Sequence, residues 1–431
     1  MPSVPAICFV TLGCPKNEVD ADRMAAAVAS SAYRLVADPD DADVVVLNTC
    51  AFIEAATEES ISEALALTGQ WAPARDGRRV VVAGCMPSRY GAELAAAMPE
   101  VDAFVPVAEE GMLLSTLESL LDVPAHPREG STRTPPGLTA YQKVSEGCDR
   151  RCAYCTIPAI RGPFVSSPVE AVEAEARGLV AGGARELVLV GQDIAAYGRD
   201  LAGGTDLAAL VGQLGTLDGD FRLRLMYVQP DGVTDRLLDA MANNTRVCAY
   251  LDIPLQHAAT PVLRAMGRSG SAQSHLELLA RVRSALPGVT LRTTVMTGFP
   301  GEGARDFAEL EEFLAEARFD YVGVFAYSPE EGTRAVVLPG QVRSATRASR
   351  AQRLRDLADV IGAARAAERV GAVERVLVEG IDEDGAVWGR TCGQAPEVDG
   401  ITFIEGTAEA GTFADVRIVD AAGYDLVGRI A

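Results

Sequence analysis

The sequence predicts an α/β protein with three parts: an N-terminal domain on a parallel sheet, a central partial (β/α)6 TIM-like barrel and a small C-terminal β-barrel. Three observations predict this class. Short β-branched runs alternate with helix-like, Ala-rich stretches over the first 124 residues, and six further strand–helix alternations follow between residues 140 and 365. From residue 366 onward, short alternating strands are separated by Gly and Asp turns. With 431 residues, 48% of them hydrophobic, the chain can bury several cores.

The N-terminal domain, residues 1–124, carries a cysteine after each of its first three predicted strands. The predicted strands are Ile7–Leu12, Val44–Leu47, Val80–Ala83 and Ala103–Val107, with helices such as Ala21–Ser30 and Ala55–Leu67 between them. Cys14, Cys50 and Cys85 follow the first three. Because the carboxyl ends of neighbouring parallel strands share one edge, we expect these thiols to converge on one metal site, which is additional to the site of the central domain described below. Small apolar fillers at strand ends are the alternative, since free Cys packs well.

A Pro- and Gly-rich linker, residues 125–139, leads into the central domain, residues 140–365. Its predicted strands are Tyr141–Ser145, Glu186–Val190, Arg222–Val228, Ala249–Ile253, Thr290–Thr297 and Tyr321–Tyr327. Its predicted helices include Pro168–Ala181, Asp231–Ala242, Ala272–Ala285 and Ala304–Ala317, followed by a long basic helix at Gln341–Val370. A barrel of this type places its site at the carboxyl ends of the strands.

The motif C-x3-C-x2-C, formed by Cys148, Cys152 and Cys155, follows the first strand of that barrel. Three thiolates at this spacing hold three irons of a four-iron cluster and leave the fourth iron open to a small molecule. A structural zinc site is the alternative, but such sites are normally closed by a fourth Cys or His, and no His lies within twenty residues. The remaining cysteines lack partner spacing and are expected to be buried fillers: Cys8, Cys248 and Cys392.

The last part, residues 366–431, is predicted to be a small β-barrel with strands at Val373–Val378, Ala386–Thr391, Thr412–Val419 and Leu426–Ile430. It carries 5 Arg against 13 acidic residues, and the whole chain has a net charge of −21. A barrel that binds RNA should be basic, so nucleic acid is not expected here. The acidity favours a basic protein as partner, with solubility as the alternative explanation.

No apolar run is long enough to span a bilayer and no secretory signal is recognisable, so we expect a cytoplasmic protein.

These motifs together resemble the methylthiotransferases of the radical S-adenosylmethionine (SAM) superfamily over nearly the full chain. Thr11–Asn17 (TLGCPKN) and Asn48–Ile53 (NTCAFI) are similar to that family's cluster-binding domain, and Gly147–Gly162 to its radical motif. The C-terminal barrel looks like its TRAM domain. Leu251–His257 and Phe319–Thr333 are similar to the branch that modifies a ribosomal protein, RimO, and differ from the tRNA branch, MiaB. One departure is Val165-Ser-Ser-Pro168, where the family often has Ser-Arg-Pro, so a contact made by that Arg would be missing.

The resemblance implies a transferase that inserts sulfur and a methyl group at the β-carbon of an aspartate in the small-subunit ribosomal protein of the decoding centre. It implies two 4Fe-4S clusters, the catalytic one on Cys148, Cys152 and Cys155 and the second on the three N-terminal cysteines. One SAM would donate the methyl group and one would supply the radical. A β-methylene C–H is neither acidic nor electrophilic, so acid–base or nucleophilic side chains activate it poorly.

Further residues are assigned through the same resemblance. Tyr154 would pack on the adenine of SAM, and Gln192 or Asp193 would bind its methionine amine, unless they are simply a polar strand end. The Thr297–Glu302 segment either lines the cofactor pocket or is a plain turn. His257 either touches the substrate or, as we rather expect, is a capping or core histidine.

Three functions remain open at this point. The first is aspartate methylthiolation of a basic ribosomal protein, with flavodoxin or ferredoxin as the reductant. The second is the same chemistry on a tRNA adenosine. The third is a non-catalytic iron–sulfur carrier or RNA-binding scaffold, against which both cysteine trios argue, because a carrier has no need of an open iron beside a barrel pocket.

Overall fold

The N-terminal domain is built on a five-stranded parallel sheet, as its sequence pattern predicts. The structure, a computed structural model, describes residues 4–71, 77–126, 133 and 137–431. The strands are β1 (Ala6–Thr11), β2 (Arg34–Leu35), β3 (Val44–Thr49), β4 (Arg79–Gly84) and β5 (Ala103–Pro106), in the order β2-β1-β3-β4-β5. The helices are α1 (Pro15–Ala29), α2 (Glu54–Trp71), α3 (Cys85–Ala97) and α4 (Leu113–Leu121). The three central strands are apolar along most of their length because helices cover both faces.

The central domain is an open arc of six parallel strands. They are β6 (Thr139–Lys143), β9 (Glu186–Val190), β10 (Arg222–Leu225), β11 (Tyr250–Asp252), β12 (Thr290–Thr297) and β13 (Tyr321–Ala326). Two three-stranded sheets, β6-β9-β10 and β11-β12-β13, meet where the Cys248 amide donates to the Leu223 carbonyl at 2.8 Å. All six predicted strands are therefore present, within a few residues of their predicted bounds. The intervening linker prediction falls mostly outside the described residues.

A short antiparallel pair, β7 (Ser145–Glu146) and β8 (Val165–Ser166), closes the loop that follows β6. Two short helices, α5 (Ile157–Arg161) and α9 (Thr260–Ala265), lie at the loop that follows β6. Five other helices cover the outside of the arc: α6 (Val169–Ala181), α7 (Leu207–Leu214), α8 (Asp235–Ala242), α10 (Ala272–Ala285) and α11 (Ala304–Ala317). Their buried Leu, Val and Phe side chains form the largest apolar core of the described residues. No helix in those residues is both long and apolar enough to cross a bilayer.

The long basic helix α12 (Ser344–Ala367) packs on the central domain. Some of its arginines form ion pairs with acidic residues of that domain. Arg350 binds Glu302 at 2.6 Å, and Arg365 binds Asp320 at 3.1 Å. These ion pairs hold the basic helix against acidic residues of the central domain.

The C-terminal part is a closed five-stranded barrel, one strand more than the sequence indicates. Its strands are β14 (Val373–Ile381), β15 (Val387–Thr391), β16 (Thr402–Glu405), β17 (Phe413–Ala422) and β18 (Asp425–Ile430). The additional strand, β16, has only four residues and lies between Gly400 and Gly406, so it offers little alternation to detect.

A buried ion-pair cluster joins this barrel to the central domain. Glu186, at the start of β9, is fully buried and accepts from Arg222 at 2.9 Å and Arg224 at 2.6 Å. Arg390 of β15 binds the same carboxylate at 2.7 Å. Three cations share one carboxylate, so the orientation of the small barrel is fixed by buried charge as well as by apolar contact.

Candidate metal centres at the domain junction

The three N-terminal cysteines lie on one edge of the first sheet. Cys14 caps the N-terminus of α1 directly after β1, Cys50 follows β3, and Cys85 begins α3 directly after β4. Gly13 has a φ of +102°, and a Cβ at this position would lie 2.6 Å from the Cys50 Cβ. Only glycine allows the two loops to approach this closely. The sheet thus brings the three predicted thiols to one place.

Asn17, in the first turns of α1, ties the three cysteine loops together. Its Oδ1 lies 3.7 Å from the Sγ atoms of both Cys14 and Cys85. Its Nδ2 donates to the Thr49 carbonyl at 2.8 Å, next to Cys50. Because Asn17 is completely buried, the amide fixes the spacing of the trio without access of bulk water.

Arg161 connects this trio to the central domain. Its Nη2 donates to the Cys85 Sγ at 3.3 Å and to Asn17 Oδ1 at 2.8 Å, and its Nη1 donates to Asp20 at 2.8 Å and Glu146 at 3.2 Å. Burial raises the pKa of the Cys85 thiol to about 12, and the neighbouring Arg161 cation opposes that rise. A metal must therefore displace a proton from Cys85, and Arg161 is placed to stabilise the thiolate that results.

The second predicted trio lies on the loop between β7 and β8. The Cys148 amide donates to the Gly162 carbonyl at 3.2 Å, and the Cys155 amide donates to the Cys152 carbonyl at 3.3 Å. The Ala153 amide donates to Met266 at 2.8 Å, which fastens the loop to the end of α9. A cavity of about 570 Å³ is lined by all three cysteines together with Arg150, Thr333 and Arg334. Burial raises the pKa of the Cys155 thiol to about 12.

Tyr154 lies inside this loop with its ring against other aromatic groups. Its centroid is 6.4 Å from that of Phe299, in an edge-on arrangement, and Phe299 is 5.3 Å from Tyr327. The three rings form an apolar wall beside the cysteine loop. This wall is suited to a flat ring, but contact of Tyr154 with adenine stays a prediction.

Gln192 and Asp193 lie at the end of β9, but neither is a free polar group. The Asp193 carboxylate is buried and paired with Arg150 at 2.6 Å. The Gln192 amide donates to Glu146 at 2.8 Å, while its Oε1 is buried without a partner among the described residues. Of the two, Gln192 thus retains an acceptor for a ligand amine, and Asp193 holds the cysteine loop through Arg150.

His257 and the Thr297–Glu302 segment form one buried unit. The Ala259 amide donates to His257 Nδ1 at 3.0 Å, and His257 Nε2 lies 3.5 Å from Glu302. Glu302 also accepts from the Gly298 amide at 2.6 Å. His257 is completely buried and its Nδ1 accepts from the backbone, which suits a capping or core role, and that role stays a prediction. Glu302 organises the turn, whose Phe299 faces Tyr154.

The expectation that Cys8, Cys248 and Cys392 are buried fillers is confirmed for Cys8 and Cys248, whereas Cys392 is only partly buried. Cys8 is buried in the first sheet and its thiol lies 3.5 Å from the Ala37 carbonyl. Cys248 is buried, and Cys392 packs against the same apolar cluster, where the central domain meets the C-terminal barrel.

Several residues of the junction were not predicted individually. Lys143 binds both Asp20 and Glu146, and the three border a cavity of about 700 Å³ between the N-terminal and central domains. Asn17 and Arg161 lie inside the motifs that carry the family resemblance, which was the available signal for them. Lys143 and Asp20 lie outside those motifs, and their pairing spans 123 residues.

Each trio offers three separate thiols, and no disulfide joins them. Within the described ranges, no three His, Cys, Asp or Glu side chains lie close enough together to hold a single metal ion. In a four-iron cluster each thiolate binds a different iron, so one trio need not share an ion. The donor set, with three thiolates at each place, fits an iron–sulfur cluster with one iron free of protein ligands.

Three segments of the chain match known families. Residues 6–106 match the Uncharacterized protein family UPF0004, residues 143–314 match the Radical SAM superfamily, and residues 370–431 match the TRAM domain. The N-terminal trio lies in the first segment and the C-x3-C-x2-C trio in the second.

Curated relatives align with nearly the whole chain. The Ribosomal protein uS12 methylthiotransferase RimO of Geobacter sulfurreducens is 42% identical over 98% of this chain and 98% of its own length. The protein of the same name from Syntrophus aciditrophicus is 42% identical over 99% and 98%, and that of Anaeromyxobacter sp. (strain K) is 43% identical over 97% and 92%.

Solved structures confirm the predicted fold class of the larger part of the chain. The radical S-adenosylmethionine methyltransferase TsrM from Kitasatospora setae, solved with cobalamin and a 4Fe-4S cluster, has a TM-score of 0.55 over 77% of each chain, at 15% identity. The cobalamin-dependent radical enzyme OxsB has a TM-score of 0.54 over 83% of this chain and 56% of its own, at 14% identity. At such identities the likeness concerns the fold alone.

Proposed function

The chain belongs to the family of ribosomal protein uS12 methylthiotransferases called RimO, and on that premise we propose that it methylthiolates an aspartate side chain of this ribosomal protein. The reaction inserts sulfur at the β-carbon and adds a methyl group to that sulfur. The observation that supports this proposal best is the connection between the two trios of thiols at the junction of two domains. Arg161 bonds Cys85 of the N-terminal trio, Asp20 and Glu146, and Glu146 lies two residues before Cys148 of the other trio.

The residues present fit two 4Fe-4S clusters, one on Cys14, Cys50 and Cys85 and one on the C-x3-C-x2-C loop. When bound, the clusters and SAM supply one-electron chemistry, sulfur attachment and the methyl group, none of which a protein side chain provides. Tyr154 and Gln192 are the residues we assign to SAM, through the aromatic wall and the unpaired amide oxygen.

The chain's own residues exclude water and fix the two trios relative to each other. Cys50, Cys85 and Cys148 each expose at most 8% of their surface. Arg161 bridges Cys85 of the first trio and Glu146, which directly precedes the second cysteine loop. Burial of these three cysteines and the connection through Arg161 protect reactive species from solvent and limit changes in the transfer distance.

The charge of the protein supports a protein substrate over a nucleic acid. The C-terminal barrel has an excess of eight acidic residues, and the whole chain an excess of 21. A basic ribosomal protein is attracted to such a surface, whereas tRNA phosphates are repelled by it. We further infer action in the cytoplasm, where ribosomal proteins are made, with a low-potential flavodoxin or ferredoxin as electron donor.

The proposal is tested by anaerobic reconstitution with iron, sulfide, SAM and a reductant, followed by mass spectrometry of recombinant uS12 and of tRNA in parallel. We expect a methylthio mass increase on one aspartate of uS12, with formation of 5′-deoxyadenosine, and no change in tRNA. A mass increase on tRNA alone would establish the tRNA branch instead. An intact two-cluster protein that forms no 5′-deoxyadenosine would contradict catalysis altogether.

A further inference from the structure

Lys16 is an exceptional cation in this chain, both by composition and by position. Only two of the 39 basic residues are lysines, Lys16 and Lys143, and all others are arginines. Lys143 is buried and neutralised by Asp20 and Glu146. Lys16 has no such partner: no ion pair or hydrogen bond of its ammonium is found among the residues that the structure describes.

The ammonium of Lys16 rests on an aromatic ring of the other domain. Its Nζ lies 3.6 Å from the centroid of Tyr227, which follows β10 in the central barrel. Tyr227 adopts a left-handed backbone, with a φ of +64°, and its amide donates to the Asp252 carboxylate at 3.2 Å. Such a conformation is costly for a tyrosine and persists only where the surroundings impose it. The fold therefore fixes the Tyr227 ring beneath the Lys16 ammonium.

This position is at the carboxyl ends of β10 and β11, where a barrel of this type does its chemistry. Lys16 is also two residues after Cys14, so it stands between the N-terminal trio and the open end of the barrel. The charges around Lys16 are of both signs. Lys16 lies in the first turn of α1, where the helix dipole is positive, and Arg161 is a neighbouring positive charge, whereas Cys14, Asp252 and Glu146 are neighbouring groups of the opposite sign, none of which forms an ion pair with the ammonium among the described residues.

We propose that Lys16 binds the carboxylate of the substrate aspartate and so distinguishes aspartate from asparagine at the reaction site. This inference rests on the proposed function and adds a specificity-determining residue to it. A lysine suits the task because its compact ammonium keeps donors free while one side lies on the ring, whereas the larger planar guanidinium of arginine would occupy more of the opening.

A second carboxylate, that of SAM, has the same chemistry and is the competing source. The radical trio follows β6, whereas Lys16 lies over β10 and β11, two and three strands further along the arc. The cysteine two residues away belongs to the other trio. The position therefore favours the substrate carboxylate, and an experiment can separate the two sources.

The test compares wild type with Lys16→Met and Lys16→Arg, each reconstituted with both clusters. Binding of two fluorescent peptides of the target segment, one with aspartate and one with asparagine, is measured by anisotropy, and SAM binding by calorimetry. Arg177→Met, which removes an exposed cation on the outside of the barrel, is the matched control for charge.

We expect wild type and the control to bind the aspartate peptide about 10- to 100-fold more tightly than the asparagine peptide, the usual range for a charge-assisted hydrogen bond. Lys16→Met should lose that preference while keeping its iron content, its SAM affinity and its 5′-deoxyadenosine formation, and Lys16→Arg should retain part of the preference. A Lys16→Met protein that still prefers the aspartate peptide overturns the proposal. Loss of SAM affinity with the preference intact assigns the cation to SAM and also overturns it.

Amine labelling supplies an independent measurement, because the chain contains only two lysines. Reductive methylation followed by peptide mass spectrometry should show Lys16 protected by the aspartate peptide and not by the asparagine peptide, with buried Lys143 as internal reference. Equal labelling of Lys16 with either peptide contradicts the proposal. The failure of the proposed function has a different signature, since wild type would then modify neither uS12 nor its peptide.

Discussion

The guanidinium of Arg161 donates one hydrogen bond to the Cys85 sulfur at 3.3 Å and another to the Asp20 carboxylate at 2.8 Å. Because Arg161 belongs to the central domain, this one side chain ties that domain to a thiol and a carboxylate of the N-terminal domain. Hydrogen bonds to ligand sulfurs raise the reduction potential of a cluster because they stabilise the more negative, reduced state.

Arg161→Lys should lower the reduction potential of the N-terminal cluster by roughly tens of millivolts, since the shorter side chain keeps the charge but not the fork of donors. Redox titration followed by electron paramagnetic resonance measures both clusters in one sample. The cluster on the C-x3-C-x2-C loop is the internal reference and should not change. Equal shifts of both clusters would contradict a specific bond to Cys85.

Cys14→Ala should reduce the iron content of reconstituted protein from about eight to about four atoms per chain, because one of two clusters loses a ligand. SAM cleavage should persist, since it depends on the other trio. Iron analysis and quantification of 5′-deoxyadenosine provide the two measurements. Cys8→Ala is the matched control. Cys8 is buried in the same sheet, but its thiol contacts the Ala37 carbonyl and is not a predicted ligand. We therefore expect this variant to keep about eight iron atoms per chain.

Glu186→Gln should destabilise the contact between the central domain and the C-terminal barrel by about 3–5 kcal/mol, because three buried arginines lose their shared carboxylate. Neighbouring cations hold the pKa of Glu186 well below its usual range, so this stabilisation is present above about pH 4.3 and is lost as the pH falls further. Urea unfolding at pH 7 provides the measurement. Glu405→Gln, in the exposed pair with Arg429, should change the free energy of unfolding by less than about 1 kcal/mol.

Glu18→Gln should stabilise the protein at pH 8 and leave it almost unchanged at pH 4. Burial, with a smaller contribution from Glu397 and Asp22, raises the pKa of Glu18 to about 7. A raised carboxyl pKa means that the native state holds the proton more tightly than the unfolded chain, so stability is lost as the pH rises from about 4.3 through 7. Glutamine removes that loss, by about 1–2 kcal/mol after allowance for solvent screening of this partly exposed side chain. Thermal unfolding at the two pH values tests it, and an equal effect at both would refute the assignment.

Most of the strands could be predicted because their signal is local. Val44–Thr49 and Glu186–Val190 are almost entirely apolar, as buried parallel strands must be, and Gly or Pro marks many of their ends. Strand β16 could not be predicted because four residues give no usable period. The start of α3 at Cys85 was equally hidden, since a Gly with positive φ precedes it and Gly91 interrupts it.

In the candidate site, too, some residues could be predicted from the sequence and others could not. The cysteines could be predicted, since three of them share one short loop and the other three follow consecutive strands. The charged network could not be predicted. Lys143 contacts Asp20, and Arg161 contacts Cys85, only because distant segments fold together, and no periodic pattern in the sequence marks these pairs. Asp193 was predicted to bind a cofactor amine but is paired with Arg150, a partner in the adjacent loop that the strand pattern does not reveal.

The two trios differ in how much of the protein must exist before they can hold iron. Eight consecutive residues contain Cys148, Cys152 and Cys155, so a chain that has folded little beyond this hairpin already presents all three donors. The N-terminal trio is drawn from loops that lie 36 and 35 residues apart and comes together only after the sheet has formed. Iron binding by the C-x3-C-x2-C trio therefore depends on a local hairpin, whereas iron at the N-terminal trio shows that the whole first sheet has assembled correctly.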